Sequence, residues 1–253
     1  EKIKGNSKKL KEFYHKLSTL KFLDPACGCG NFLVITYREL RLLELDVLRK
    51  IYKKQIATSI EGIVMLNVDQ FYGIEYDEFP TRIAEVAMWM MDHQMNMLVS
   101  KEFGQYFARL PLKKAAKIVH TNALRLDWEE VVPKTELNYI IGNPPFVGSK
   151  LLDTNQREEI SIIFGGVKKG KILDYVTAWY LKSAQYIKDT NIEVAFVSTN
   201  SISQGEQVSV LWSELFNNYD IKEIPEILGK LGYNRYGTEK MYCGITGKEI
   251  ETQ

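Results

Sequence analysis

Residues 22–32 read FLDPACGCGNF. A short apolar run ends on an acid, small residues and glycines follow, and a long helical pattern begins at Asn31. In an open α/β sheet, ligands bind at such a turn, outside the carboxyl ends of the strands. Gly28 and Gly30 let the backbone come close to a ligand and take positive φ. The helix start near Asn31 offers unpaired N–H groups to a carboxylate. A dinucleotide loop would carry a third glycine, but Asn31, Phe32 and Leu33 follow Gly30.

Asp24 refines the ligand class. Its carboxylate would repel a pyrophosphate and attract an ammonium. The expected ligand is therefore a zwitterion, such as the methionine part of S-adenosylmethionine. A tight strand-to-helix turn without a ligand is the competing reading. Cys27 and Cys29 do not make a zinc site, because no second Cys/His pair accompanies them.

The rest of the chain fits an α/β protein. It has 253 residues, 45% hydrophobic and 26% charged, enough for a sizeable core. The formal net charge of +1 announces no nucleic-acid partner, so any such contact must rest on local patches. Three cysteines are too few for a disulfide framework and fit a reducing, cytoplasmic setting. No apolar run reaches the ~18 residues of a membrane span. The opening EKIKGNSKKLKEF lacks an initiator Met and a signal-peptide core, and reads as part of a longer chain.

Periodicity predicts strands near 21–23, 70–75, 117–120, 138–141 and 193–198. It predicts helices near 6–18, 31–57, 80–98, 173–188 and 206–218. Strands alternating with long helices imply a mostly parallel sheet with helices on both faces. In the long second helix, leucines recur at three and four, interleaved with Arg/Glu pairs. The methionines of the third helix (Met88, Met90, Met91, Met95) and Trp128 are expected in the core.

Glu75 ends the second strand, FYGIE, where an acid can accept hydrogen bonds from ribose hydroxyls. It lies 51 residues after Asp24, more than the ~20 of the usual nucleotide unit. After the third strand, Asn122 is read equally as an acceptor for an adenine amino group and as a turn residue. The fourth strand runs into Asn143-Pro144-Pro145-Phe146. Asn143 presents an amide oxygen, Pro144 a carbonyl on a stiff loop, and Phe146 a ring for stacking. Two acceptors aimed at one aromatic amine would turn its lone pair towards an electrophile.

The set DPACGCGNF, GIEYD, TNAL and NPPF resembles the N6-adenine-specific DNA methyltransferases of restriction–modification systems. The similarity is greatest to the methyltransferase core of the MmeI-like type IIL/IIG enzymes and covers roughly residues 8 to 220. GNPPFVGSK, ILDYVTAWYLKSA and FVSTNSISQGEQV support it. The resemblance implies a Rossmann-like class I methyltransferase fold with S-adenosylmethionine as cofactor. It places Asp24, Ala26, Gly28 and Gly30 at the methionine moiety, with Asn31 and Phe32 closing that site, and counts Cys27 among the cofactor-binding residues. Glu75 would take the ribose, Tyr76 would lie beside the cofactor adenine, and Asn122 with Ala123 would stand nearby. Asn143, Pro144, Pro145 and Phe146 would hold a target adenine flipped from duplex DNA.

Further expectations come with it. Residues 1–20 form a lead-in, 21–220 the catalytic domain and 221–253 a divergent tail. Within that tail, GTEKMYCGITGKE resembles a C-terminal stretch of the second-largest subunit of multisubunit RNA polymerases. The sheet is therefore expected to lack its terminal strand hairpin. Recognition and nuclease domains belong to the parent protein, and methyl transfer needs no metal. Lys168, Lys169 and Lys171, and the smaller group Lys113, Lys114 and Lys117, are candidate phosphate contacts or solvated faces. The rival readings are a truncated non-catalytic fragment, or a methyltransferase for RNA adenine or protein glutamine.

Overall fold

The computed structural model describes residues 7–52, 60–107, 115–165, 167, 170–202, 206–219 and 240–246. The candidate cations Lys113, Lys114, Lys168 and Lys169 lie outside the described residues, as does the side chain of Lys171. In chain order the elements are α1 (Ser7–Thr19), β1 (Phe22–Asp24), α2 (Asn31–Tyr52), β2 (Phe71–Glu75), α3 (Glu78–Phe103) and β3 (Lys117–His120). They continue with β4 (Tyr139–Gly142), α4 (Thr154–Ile163), α5 (Thr177–Ile187), β5 (Glu193–Thr199), α6 (Glu206–Tyr219) and β6 (Lys240–Thr246). The strands form one sheet in the order β3-β2-β1-β4-β5-β6. β2 pairs parallel with β3, and β4 with β5.

The expectation of a missing terminal hairpin is corrected for one strand. β6 runs antiparallel to β5 over seven pairs, from Glu193↔Thr246 to Thr199↔Lys240. KMYCGIT carries aromatic and β-branched residues that suit an extended chain. It satisfies backbone groups that an uncovered β5 would leave open.

The chain divides into two compact units, one of 1–22 and 27–120, the other of 23–26 and 121–253. In the first, Tyr14 of α1, Leu45 and Leu48 of α2, Val99 of α3 and the loop residues Ile60, Ile63 and Val64 form one apolar cluster. α2 also departs from its sequence pattern. Arg41 and Glu44 are fully buried and ion-paired at 3.0 Å, while Leu42 and Leu43 are exposed. Arg41 also pairs with Asp92 at 2.8 Å and donates to Asn96 Oδ1 at 2.8 Å, both on α3. Glu44 accepts from the amides of Met65 and Leu66 at 2.7 and 3.0 Å. Partners on another helix and a loop reverse the face that leucine spacing alone selects. Of the methionines expected in the core, Met88 and Met95 are buried and Met90 is exposed.

In the second unit, Tyr180 of α5 packs edge-on against Phe196 of β5 and Trp212 of α6. Trp128 is buried as expected and lies against Tyr186, with ring centroids 5.6 Å apart. α4 was not expected. Its sequence, TNQREEISII, shows little apolar periodicity, but Asp153 and Gln156 form a reciprocal capping box at its start. No helix among the described residues is long and apolar enough to cross a membrane.

Candidate active site

In the first unit, the glycine loop and the end of β2 build one acidic position. Gly28 has φ +53°, a region that favours glycine, and its N–H donates to Glu75 Oε2 at 2.8 Å. Asp77 N–H donates to Glu75 Oε1 at 3.0 Å. Each carboxylate oxygen thus spends one acceptor site on the backbone and keeps capacity for another donor. A Cβ built at Gly28 meets no atom within 4 Å, so the backbone there faces open space. Gly30, at φ +82°, has no such room, since a Cβ would lie 3.0 Å from that of Ala84 on α3. Gly28 is therefore bare towards space, and Gly30 is bare so that helix can approach helix.

The remaining loop residues divide between the turn and the surface. Cys27 donates its N–H to Ile74 O at 3.1 Å and accepts from Gly30 N–H at 2.8 Å, so its backbone shapes the turn. Its thiol is buried and Cys29 is exposed. α2 begins at Asn31, which is exposed, with Phe32 half-buried. Tyr76 follows Glu75 with 67% of its surface exposed.

In the second unit, Asp24 sits with 1% exposure and accepts from Ala26 N–H at 3.0 Å. Gly142, the last residue of β4, lies directly against it: a Cβ there would come within 2.5 Å of Asp24 Oδ1. The strand that delivers Asn143 is thus fitted to the carboxylate of the first strand. Trp179 of α5 donates its indole N–H to Pro25 O at 3.0 Å and holds the same turn. Neither Gly142 nor Trp179 was expected from sequence as part of the site.

Asn143 is exposed, and its amide makes no hydrogen bond among the described residues. Pro144 is buried, while Pro145 and Phe146 are exposed, Phe146 by 38%. The loop is fastened just beyond the ring. Tyr175 N–H donates to Val147 O at 2.8 Å, and Ser149 N–H to Asp174 Oδ1 at 3.0 Å. Gln207 of α6 donates to Asp174 Oδ2 at 2.8 Å and accepts from Asp174 N–H at 3.0 Å. The motif therefore stands on supports about 30 and 60 residues downstream.

Asn122 follows β3 and fulfils its turn reading. Its Oδ1 accepts from Leu124 N–H at 2.9 Å, and its Nδ2 donates to Glu159 Oε1 at 2.7 Å. Glu159 is buried on α4 and also accepts from Arg125 Nε at 3.1 Å and from the Tyr175 hydroxyl. Ala123 is buried, and its carbonyl accepts from the Trp128 indole at 2.9 Å. Lys182 staples the same turn, donating to Leu124 O and Leu126 O at 2.8 and 2.6 Å. Burial pushes its pKa down to about 8, with nearby Asp127 opposing the shift.

Residues 1–224 match the family model described as the DNA-methyltransferase domain of MmeI. The chain belongs to that family. MmeI itself, solved as a type IIL restriction–modification enzyme in complex with DNA, is 48% identical with a TM-score of 0.87. The match covers 99% of this chain and 34% of MmeI. DNA methyltransferase A of Bacillus subtilis (strain 168) is 43% identical over 211 residues, 82% of this chain and 24% of that protein. The type IIG restriction endonuclease BpuSI, at 13% identity and a TM-score of 0.53 over 94% of this chain, shares the fold. This chain thus spans about a third of MmeI and about a quarter of the B. subtilis relative. As an MmeI-type methyltransferase domain it has an α/β fold, with the strand order above and an antiparallel strand beside β5.

Proposed function

We propose that this chain binds S-adenosylmethionine and transfers its methyl group to N6 of adenine in DNA, as the modification part of a restriction–modification system. The observation that carries the reading is Asn143. Its amide, which makes no hydrogen bond among the described residues, is exposed between buried Gly142 and buried Pro144, on a loop fixed from three sides.

The cofactor supplies an electrophilic methyl group. Glu75, oriented by two backbone amides, takes the ribose hydroxyls. The open space at Gly28 leaves room for the amino-acid part, and the buried Asp24 carboxylate provides the negative charge that its ammonium needs. Tyr76 serves the cofactor adenine, and Ala26, Asn31, Phe32, Asn122 and Ala123 are the further residues we assign to the cofactor.

Asn143 Oδ1 and the Pro144 carbonyl accept the two N–H bonds of the target amine and turn its lone pair towards the methyl. Catalysis is then alignment and electrostatics. None of Asn143, Pro144 and Phe146 is a base, so the amine would lose its proton to water after the methyl arrives, once N6 has become acidic, while the sulfonium that gave up its S–CH3 bond would leave as a neutral thioether. Phe146 stacks on the flipped base, offsetting roughly 1–3 kcal/mol of the unstacking cost. Sequence choice and DNA cleavage belong to other parts of the parent protein. Both steps would run in the cytoplasm.

Calorimetric titration with S-adenosylmethionine tests the cofactor reading. Binding should survive Asn143→Ala and be lost in Gly28→Val, which puts a branched side chain at positive φ and into the open space. Tritiated methyl groups should then appear in adenine-unmethylated plasmid DNA rather than in RNA or protein, and Asn143→Ala should abolish that transfer. A folded chain that binds no cofactor would overturn the proposal.

A further inference from the structure

The connection from β4 to α4, residues 143–153, carries more than the Asn-Pro-Pro-Phe motif. In the second unit the exposed large apolar residues among those described are Phe146, Leu151, Ile162 and Phe216. Two of these four lie on this one connection. Leu151 is 81% exposed, although its neighbour Leu152 is buried. A single exposed leucine needs no explanation by itself. This one sits on a built support.

Gly148 to Leu151 form a tight turn, with Leu151 N–H donating to Gly148 O at 2.8 Å. Inside the turn, Ser149 N–H is held by Asp174 at 3.0 Å, and Asp174 is braced by Gln207. Beyond it, Asp153 caps α4. The backbone on either side of Leu151 is fixed, so its side chain projects from a rigid tip.

The charges around the tip are sorted. The acids nearby are engaged: Asp153 accepts from Gln156 N–H at 2.8 Å, Glu158 pairs with Arg125 at 2.8 Å, and Glu159 is buried with Asn122 and Tyr175. The cations are not. Lys150 and Arg157 are exposed, and neither has an acid within ion-pair distance among the described residues. Arg157 Nη2 reaches Lys150 O at 3.5 Å, which sets its guanidinium beside the turn. An apolar tip flanked by cations that no acid pairs among the described residues matches a duplex whose phosphates lie outside and whose stacked bases lie within.

We infer that Leu151 is a wedge that enters the DNA stack beside the target adenine, with Lys150 and Arg157 holding the flanking phosphates. This rests on the proposed DNA methylation. Phe146 receives the base on the same loop, and Leu151 acts on the duplex that the base leaves. The wedge holds the pair open, so its contribution falls on paired DNA and vanishes where pairing is already broken. It is a positioning residue for the substrate and takes no part in methyl transfer.

The modified sequence is first mapped on plasmid DNA methylated by the whole protein that carries this chain. Two duplexes are then compared, one fully paired and one with a mismatched base opposite the target adenine. Leu151→Ala should lower kcat/KM about 10-fold or more on the paired duplex. It should recover to within about twofold of wild type on the mismatched one, with cofactor affinity unchanged. Leu151→Met, still apolar and of similar reach, should retain most of the activity on paired DNA. Lys150→Gln with Arg157→Gln should weaken DNA binding and flatten its salt dependence on both duplexes. Equal losses by Leu151→Ala on the two duplexes, or no loss on either, would overturn the wedge while wild-type activity left the methylation reading standing. A wild-type protein that methylates no DNA would overturn both.

Discussion

Replacing Gly142 by alanine would separate a strand from the acid it is fitted to. The new Cβ would lie 2.5 Å from Asp24 Oδ1 and 3.2 Å from Cγ. Non-bonded contact of this kind needs roughly 3.3 Å, so one group must retreat by about 0.8 Å. Asp24 cannot swing into water, because it is buried and tied to Ala26 N–H. Gly142 cannot retreat freely either, because β4 is in register with β5, Gly142 opposite Phe196. Overpacking of this kind costs about 1–3 kcal/mol, or a melting point lower by about 2–12 °C for a chain of this size. A reactive group displaced by nearly an ångström also forfeits on the order of 100-fold in turnover.

Scanning calorimetry and titration with S-adenosylmethionine read the two effects separately. Asp24→Asn is the matched control, since it keeps the shape and removes the charge. It should weaken cofactor binding with a smaller change in melting point than Gly142→Ala. A Gly142→Ala protein that melts and binds like the wild type would refute the argument.

Asp174→Ala removes the acceptor of Ser149 N–H and of the Gln207 amide. Its kcat for methyl transfer should fall about 100-fold while cofactor affinity stays within about twofold, and a parallel loss of both would show that Asp174 supports the whole unit instead. Lys182 carries a pKa of about 8 against its ordinary 10.5. Between those values the unfolded chain binds more protons than the folded one, so this group makes stability rise with pH across that window. Urea unfolding from pH 7.5 to 10 should show that rise, and Lys182→Met should remove it while costing about 1–3 kcal/mol for the stranded carbonyls. Tyr14 and Tyr186, both held above the usual tyrosine range chiefly by burial, act in the opposite sense at higher pH.

The parts of the site legible in the sequence are those in which one residue type does one local job. Glu75 stands at a strand end because FYGIE is a strand, and Gly28 because its φ is positive. What was not legible depends on partners far along the chain. Asp174 precedes α5, and Gln207 and Glu159 lie on helices; only folding shows that Asp174 meets Ser149 and Gln207, and that Glu159 meets Asn122 and Tyr175. α2 was misread for the same reason: Arg41 and Glu44 look like a solvated pair until Asp92 and Asn96 are brought beside them. α4 was missed because its face is polar, although Asp153-x-x-Gln156 carries a helix-start signature. β6 lies where the family resemblance ends, so periodicity had to stand alone there.

The second compact unit has a consequence for how the chain folds as it is made. It consists of 121–253 together with 23–26, so it is not one continuous piece of chain. Asp24, Pro25 and Ala26 leave the ribosome early, but Trp179, which grips Pro25, follows 154 residues later. At about 5–20 residues per second, those few residues must wait roughly eight to thirty seconds for their partners. The first unit can close around its own cluster during that interval. Contacts of such long separation form late. Cutting the polypeptide at residue 120 would therefore not yield two autonomous halves, because the later piece would lack the strand end that its own β4 is shaped to meet.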